Sequence, residues 1–433
     1  MNISSVRKKF SDIVRSEAFS GAVIVLLALA AAHLLFYIFT GKDFSSGSYN
    51  TYVIQAESWL SGRLDVDNRS WLELAVYEGR YYVSFPPFPS VLLTPLVFLF
   101  GEGADAFLAA ASLAVGGVFT YKLCLKLGLH SSSSFLLTLL VFLGTNMWQI
   151  SVDSWVWFLA QNLSFTLTVI SLYCASCGRK GSAMFFLAAA VGCRPFQILA
   201  FPLVIYLLMN RDNDGSEKSA GGFVSRLLRL VFHRIYVYIP ALILVIFYMW
   251  LNYARFGNVF EFGHNYLPEF TSSENGQFSL SYAAENFMTL FRLPEFSDGN
   301  IVFSMFNGSS IFIVIPLFVL YPALILAEYA SSGKVKAPAF HLIAVSFTAL
   351  QIFLLLCHKT MGGAHFGHRY IMDTVPMLIA ASAVSFRNIS SSHGKAERII
   401  FALCVILLIT GFAVNFCGTA EFYGTDIPFI ALS

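Results

Sequence analysis

An all-α, polytopic membrane fold with about eleven transmembrane helices is what the sequence predicts, on three observations. First, 57% of the 433 residues are hydrophobic and only 12% are charged, against roughly 25% charged in ordinary soluble domains. A chain this apolar, with a mean hydropathy of +0.69, cannot cover a water-facing surface. Second, apolar runs near the length that spans a bilayer, about 20 residues, recur along it. Third, Lys and Arg concentrate in alternate loops, as cytoplasmic loops do. The 44 Phe and 19 Tyr suit lipid and its interface. A net charge of +2, without a basic stretch interleaved with aromatics, points to no nucleic-acid partner. The 7 Cys are scattered, nearly all in apolar runs, and suggest no disulfide framework.

Arg7, Lys8, Lys9 and Arg15 precede an apolar run over 20–40. That run exceeds the 7–15-residue core of a cleavable signal and lacks a small-residue cleavage site. It reads as an uncleaved first span with the N-terminus in the cytoplasm. Residues 41–103 follow as a polar, aromatic and acidic outer segment. Within it, 86–101 is apolar but short and carries Pro86, Pro87, Pro89 and Pro95. A crossing there would put Lys122 and Lys126 outside, so it is expected to be an interfacial or re-entrant helix.

Spans are predicted next at 104–127, 133–151 and 155–177. Residues 182–209 lie between two basic loops and must cross an even number of times, as two short helices with Cys193-Arg194-Pro195 at the turn. A polar stretch and a basic amphipathic run over 210–235 belong on the membrane surface. The remaining spans are 236–255, 309–329, 338–357, 369–386 and 399–417. The expected organisation is a single multispan domain over 1–433, N-terminus in and C-terminus out, with outer segments 41–103, 256–308 and 358–368.

On that topology nine Lys and Arg face outward: Lys42, Arg63, Arg69, Arg80, Arg194, Arg255, Arg292, Lys359 and Arg369, mostly Arg. They oppose the usual bias. Guanidinium forks bind phosphate bidentately and keep their charge when partly desolvated, so the cluster fits a lipid-phosphate headgroup. Arg194, Arg255 and Arg369, at helix ends or within apolar runs, are the strongest candidates. The outer carboxylates include Asp43, Glu57, Asp65, Asp67, Glu73 and Glu78, then Asp105, Asp153, Glu261 and Asp373. A hydroxyl nucleophile needs a carboxylate to take its proton. Glu57 is the first candidate, on a stripe of Tyr52, Ala56, Trp59 and Leu60 that would lay a helix on the membrane; Asp43 is the second. His365 and His368, with His358 and Asp373 near in sequence, could hold a divalent metal or contact substrate. No metal or other cofactor is assigned.

Four segments in order resemble the membrane-embedded, C-type glycosyltransferases, whose relatives include protein O-mannosyltransferases and the lipid A aminoarabinose transferase. They are Gln55 to Leu64; Gly79-Arg80-Tyr81-Tyr82 running into Phe85-Pro86-Pro87; Arg194-Pro195; and Asn252 to Gly257 with Glu261-Phe262-Gly263, paired with Phe366 to Asp373 and Pro376. The resemblance implies transfer of a sugar from a polyprenyl-phosphate donor to a glycan, lipid or protein acceptor, with inversion. It places the active site on the outer face of a bacterial cytoplasmic membrane. It implies Glu57 or Asp43 as base and Arg255, Arg369 and Arg194 as donor-phosphate ligands. Arg63, Arg80, Tyr81, Tyr82, Trp59, His368 and Asp373 would then contact substrate. Many relatives carry an acid soon after the first span, where this chain has Ser48, Tyr49 and Asn50. Two other readings share these features: a transporter or flippase of a lipid-linked saccharide, and a non-catalytic relative of the same fold.

Overall fold

The computed structural model describes residues 17–44, 47–69, 72–101, 103–211, 223–390 and 394–432. Arg7, Lys8, Lys9 and Arg15, and much of the polar 210–235 loop, lie outside the described residues. Among those described, six helices are long and apolar enough to cross a membrane: Glu17–Thr40, Ala104–Lys126, Val156–Ser176, Ile235–Phe256, Pro338–Leu356 and Lys395–Phe422. The protein is an all-α polytopic membrane protein. The other predicted spans are short or broken helices, each for a local reason. Ser131–Phe142 stops before Gly144-Thr145 and resumes as Met147–Ser151. Lys180–Val191 and Phe201–Arg211 are separated by the Arg194-Pro195 turn. Ile311–Val314 and Leu317–Ser332 flank Pro316, whose ring removes a backbone donor.

Helix breaks expose carbonyls that need donors inside an apolar bundle. Asn415 serves two of them, its Nδ2 lying 3.3 Å from the Gly144 carbonyl and 3.2 Å from that of Val314. Gly411 makes this approach possible, because a Cβ there would meet the Gly144 oxygen at 2.3 Å. Val156–Ser176 is the central helix, 94% of its apolar window being buried. Its polar side chains bond to neighbouring helices: Asn162 donates to the Ala109 carbonyl at 3.1 Å, and Thr166 to that of Ser112 at 3.0 Å. Such bonds between spans hold helices where burial against lipid contributes little.

Contacts between loops gather them at two ends of the bundle. At one end Arg387 Nη1 donates to the Leu127 carbonyl at 2.9 Å, and the backbone N–H of Lys336 to Glu328 at 2.7 Å. At the other, Lys42 pairs with Asp153 at 3.0 Å, Tyr423 donates to Asp153 at 2.9 Å, and Ser279 N–H bonds the Cys357 carbonyl at 2.8 Å. This second end is rich in loops. The Phe88–Phe100 helix belongs wholly to it. Phe88 N–H bonds the Gly192 carbonyl at 2.9 Å, and the Phe100 ring lies 6.1 Å from Phe107 in the first turn of the next helix. Both ends of this helix therefore pack at the same end of the bundle.

Two features of the loop-rich end differ from expectation. Residues 74–83 form a β-hairpin, Leu74–Tyr77 antiparallel to Arg80–Val83, turned by Glu78 (φ 49°) and Gly79 (φ 74°). Two successive positive φ values are what a tight two-residue hairpin turn requires. A second small sheet joins Glu295–Ser297, Asn300–Phe303 and the C-terminal Ile430–Leu432, the last pair parallel. The predicted amphipathic helix exists as Thr51–Leu60, but Tyr52 and Ala56 are buried in protein rather than turned to lipid. Trp59 sits edge-on to Phe247, ring centroids 6.5 Å apart.

Candidate active site

A cavity of about 350 Å³ opens at the loop-rich end. Four parts of the chain converge on it: the Phe85-Pro86 strap after the hairpin, Trp157 of the central helix, the Cys193-Arg194-Pro195 turn, and Tyr370. Its far wall carries His264, Asn265, Gln277 and His358, with Phe262 and Phe278 between them.

Two guanidiniums stand over one ring. The Arg194 Cζ lies 4.8 Å and the Arg369 Cζ 4.7 Å from the Tyr370 centroid, and Arg369 is also 5.8 Å from Trp157. Their bonding differs. Arg194 gives Nε and Nη2 to the same oxygen of Asp373, at 2.9 and 2.7 Å. Its charge is therefore largely neutralised. Arg369 donates through Nε and Nη2 to the Gly362 carbonyl, while its buried Nη1 has no partner among the described residues. Gly362 is needed for that fold-back: its φ is +119°, and a Cβ would meet Arg369 Nε at 3.0 Å. Gln161 anchors the segment from the central helix, donating to the Arg369 carbonyl at 2.8 Å.

A carboxylate stands near Arg369. Glu73 accepts the indole N–H of Trp157 at 3.0 Å. The residue keeps much of its surface open, yet the protein packed around it raises its carboxyl above the ordinary range, against the pull of Trp157 and Arg369. Glu269 is raised too, first by its surroundings and then by the charge of Glu73, with Lys359 and Arg369 opposing. On the far wall burial pushes His264 down to about 3 and His358 down to about 4, with Arg194 adding to both shifts. Both imidazoles are neutral near pH 7.

Of the residues singled out from sequence, Arg194, Arg369 and Asp373 come together here. Others do not. Arg255 is buried against the hairpin, giving Nη1 to the Val83 carbonyl at 2.9 Å and Nη2 to Asn252 at 3.1 Å. It positions the hairpin and does not line the cavity. Glu57 is exposed, in a separate shallow groove with Arg63 and Arg69. Arg63 is paired with Asp65 at 3.4 Å and Asp67 at 2.9 Å. Asp43 is exposed beside Lys42, whose ammonium goes to Asp153. Arg80 is exposed next to the hairpin turn, Tyr81 pairs within the hairpin, and Tyr82 packs on Phe256 at 5.2 Å.

The histidines are not gathered round Asp373. His365 Nδ1 lies 2.9 Å from the Gly363 carbonyl and His368 Nε2 3.3 Å from that of Thr289. Among the described residues no three His, Cys, Asp or Glu form a metal-binding group. Sequence reasoning passed over Trp157, Tyr370, His264 and Gln277. Tyr370 carried a signal, standing next to Arg369 in the chain.

Fold and site together define a multispan membrane protein with an aromatic cavity at its loop-rich end and a buried guanidinium, Arg369, over the ring of its lining residue Tyr370. Among solved structures, the chain is similar to ArnT from Cupriavidus metallidurans bound to undecaprenyl phosphate. The identity is 14% and the TM-score 0.49, over 92% of this chain and 75% of that one. The apo form of the same protein gives 16% identity and a TM-score of 0.48, over 94% and 76%. No protein-family model and no curated protein matches the chain.

Proposed function

We propose that this protein transfers a sugar from a polyprenyl-phosphate donor to a hydroxyl acceptor (a glycan, lipid or protein) at the outer face of a bacterial cytoplasmic membrane. One observation carries the proposal: the buried Arg369 guanidinium, whose Nη1 has no partner among the described residues, behind an aromatic cavity at the loop-rich end of the bundle. A buried cation with spare donor capacity is costly unless an anion completes it. A lipid phosphate is an anion delivered at that depth. The ordered sequence resemblance and the positive-inside pattern support the substrate class and the sidedness.

In this reading Arg369 holds the donor phosphate. Arg194, tied to Asp373, orients Tyr370 and adds field. Glu73 takes the place of Glu57 and Asp43 as the base, because it bonds Trp157, whose ring lies 5.8 Å from the Arg369 guanidinium. The acceptor oxygen forms a bond to the anomeric carbon as its proton passes to Glu73. The bond from that carbon to the phosphate oxygen breaks, and the electron pair leaves with polyprenyl phosphate. Arg369 stabilises the charge that develops there.

The test is incubation of purified protein with radiolabelled polyprenyl-phosphate sugars and candidate acceptors. Glu73→Gln should lower the rate by about 10²–10⁴-fold with donor binding kept. Arg369→Lys should weaken donor binding, since a point charge cannot reproduce the planar fork. Full turnover by Glu73→Gln removes that residue from the chemistry. Donor binding by wild type without transfer to any acceptor favours a lipid-linked saccharide transporter instead.

A further inference from the structure

We infer that the cavity selects an uncharged, hydroxyl-rich sugar, read by His264, Gln277 and Asn265, and discriminates against amino sugars and uronic acids. This deepens the transferase reading and rests on it.

Among the described residues no carboxylate lines the cavity, and the one cationic lining group, Arg194, is paired with Asp373 at 2.7 Å. The nearby Glu261 is turned to its own loop, accepting Gly263 N–H at 2.6 Å and the Asn265 amide at 2.7 Å. An ammonium group on the sugar would enter without a counter-ion among the lining residues, and a carboxylate without an unpaired cation there, Arg369 lying outside the lining and being engaged by the donor phosphate in this reading. Burying either uncompensated charge is strongly unfavourable.

Neutral hydrogen-bonding groups are present in its place. The His264 ring bonds the Ser84 backbone, and its buried Nδ1 has no partner among the described residues. In the neutral ring with its proton on Nε2, Nδ1 carries a lone pair that can accept a hydroxyl proton. His358 Nδ1 lies 2.7 Å from the Thr360 carbonyl, so its Nε2 is the acceptor for the Gln277 amide at 3.2 Å. That bond fixes the amide, which like Asn265 offers both a donor and an acceptor. The rings of Phe262 and Phe278 present apolar faces between these groups. Apolar faces with a few fixed, neutral polar groups match a sugar ring, whose C–H faces are apolar and whose hydroxyls both donate and accept. The volume of about 350 Å³ falls within the range of small-ligand sites.

The experiment measures equilibrium binding of polyprenyl phosphate alone, of polyprenyl-phosphate glucose, mannose, galactose and arabinose, and of their amino-deoxy and uronic counterparts. The best neutral donor should bind about tenfold more tightly than sugar-free lipid, the scale of one or two net hydrogen bonds, and more tightly than every charged counterpart. His264→Phe should erase the increment due to the sugar while leaving sugar-free lipid unaffected; His264→Gln, which keeps an acceptor, should retain part of it. Arg369→Lys should weaken all ligands alike. A charged counterpart binding as well as the best neutral donor, or His264→Phe leaving the increment intact, overturns the inference and spares the transferase reading. Failure of every lipid to bind, sugar-free lipid included, overturns both.

Discussion

Replacing Asp373 by Asn should separate stability from phosphate affinity. The Asp373 side chain is 2% exposed and that of Arg194 18%, and two guanidinium nitrogens converge on one carboxylate oxygen at 2.9 and 2.7 Å. Removing one partner of a buried ion pair costs about 3–5 kcal/mol, chiefly because the other charge is left uncompensated. Arg194 faces the cavity, where water can reach it, so the low end, about 3 kcal/mol, is expected. At about 2 °C per kcal/mol for a large chain, the unfolding midpoint should fall by about 6 °C. Polyprenyl-phosphate binding should hold or strengthen, since Arg194 regains donors for an anion. Thermal unfolding in one detergent, followed by tryptophan fluorescence, reads the first effect; equilibrium lipid binding reads the second. The double variant Arg194→Met/Asp373→Leu should recover much of the lost stability, because apolar groups of similar size often replace a buried pair without loss. A midpoint for Asp373→Asn within about 1 °C of wild type, a few tenths of a kcal/mol, would refute the buried pair.

Other outcomes follow from the same geometry. Because the Glu73 carboxyl is raised, transfer should fail as pH falls through a value above the ordinary glutamate range. Trp157→Phe removes a hydrogen bond that favours the charged form, so a rate–pH profile should show that acid limb moved to higher pH. Arg255→Met should free the hairpin from the Ile239–Phe256 helix, seen as faster amide exchange over 74–83, while donor binding changes much less than for Arg369→Lys. Glu57→Gln should leave turnover within about twofold, as an exposed surface change does; a loss approaching that of Glu73→Gln would return the base to the Thr51–Leu60 helix. A reporter active only outside the membrane should be active after Gly101 and silent after Lys126, and the reverse would invert the topology.

The membrane class, the short Phe88–Phe100 helix and the turn at Arg194-Pro195 were legible in sequence. Each depends on composition or on signals local to one segment: the length of an apolar run and prolines that remove donors. The hairpin at 74–83 was not read from the sequence, since Leu74-Ala75-Val76-Tyr77 shows no apolar–polar alternation before its Glu78-Gly79 turn. The membership of the site could not be read this way. Arg255, Arg369 and Arg194 look alike as outer arginines near helix ends; only packing shows that the first serves Val83, the last serves Asp373, and Arg369 keeps an unmatched Nη1. Glu57 and Glu73 likewise differ little in the chain and greatly in space. The tertiary structure brings Trp157 and Arg369, far apart in sequence, beside Glu73 and leaves Glu57 in water. Whether a charged side chain can do chemistry depends on what surrounds it in three dimensions, because solvation and partner charges set its energy, and no local pattern in the sequence carries that information.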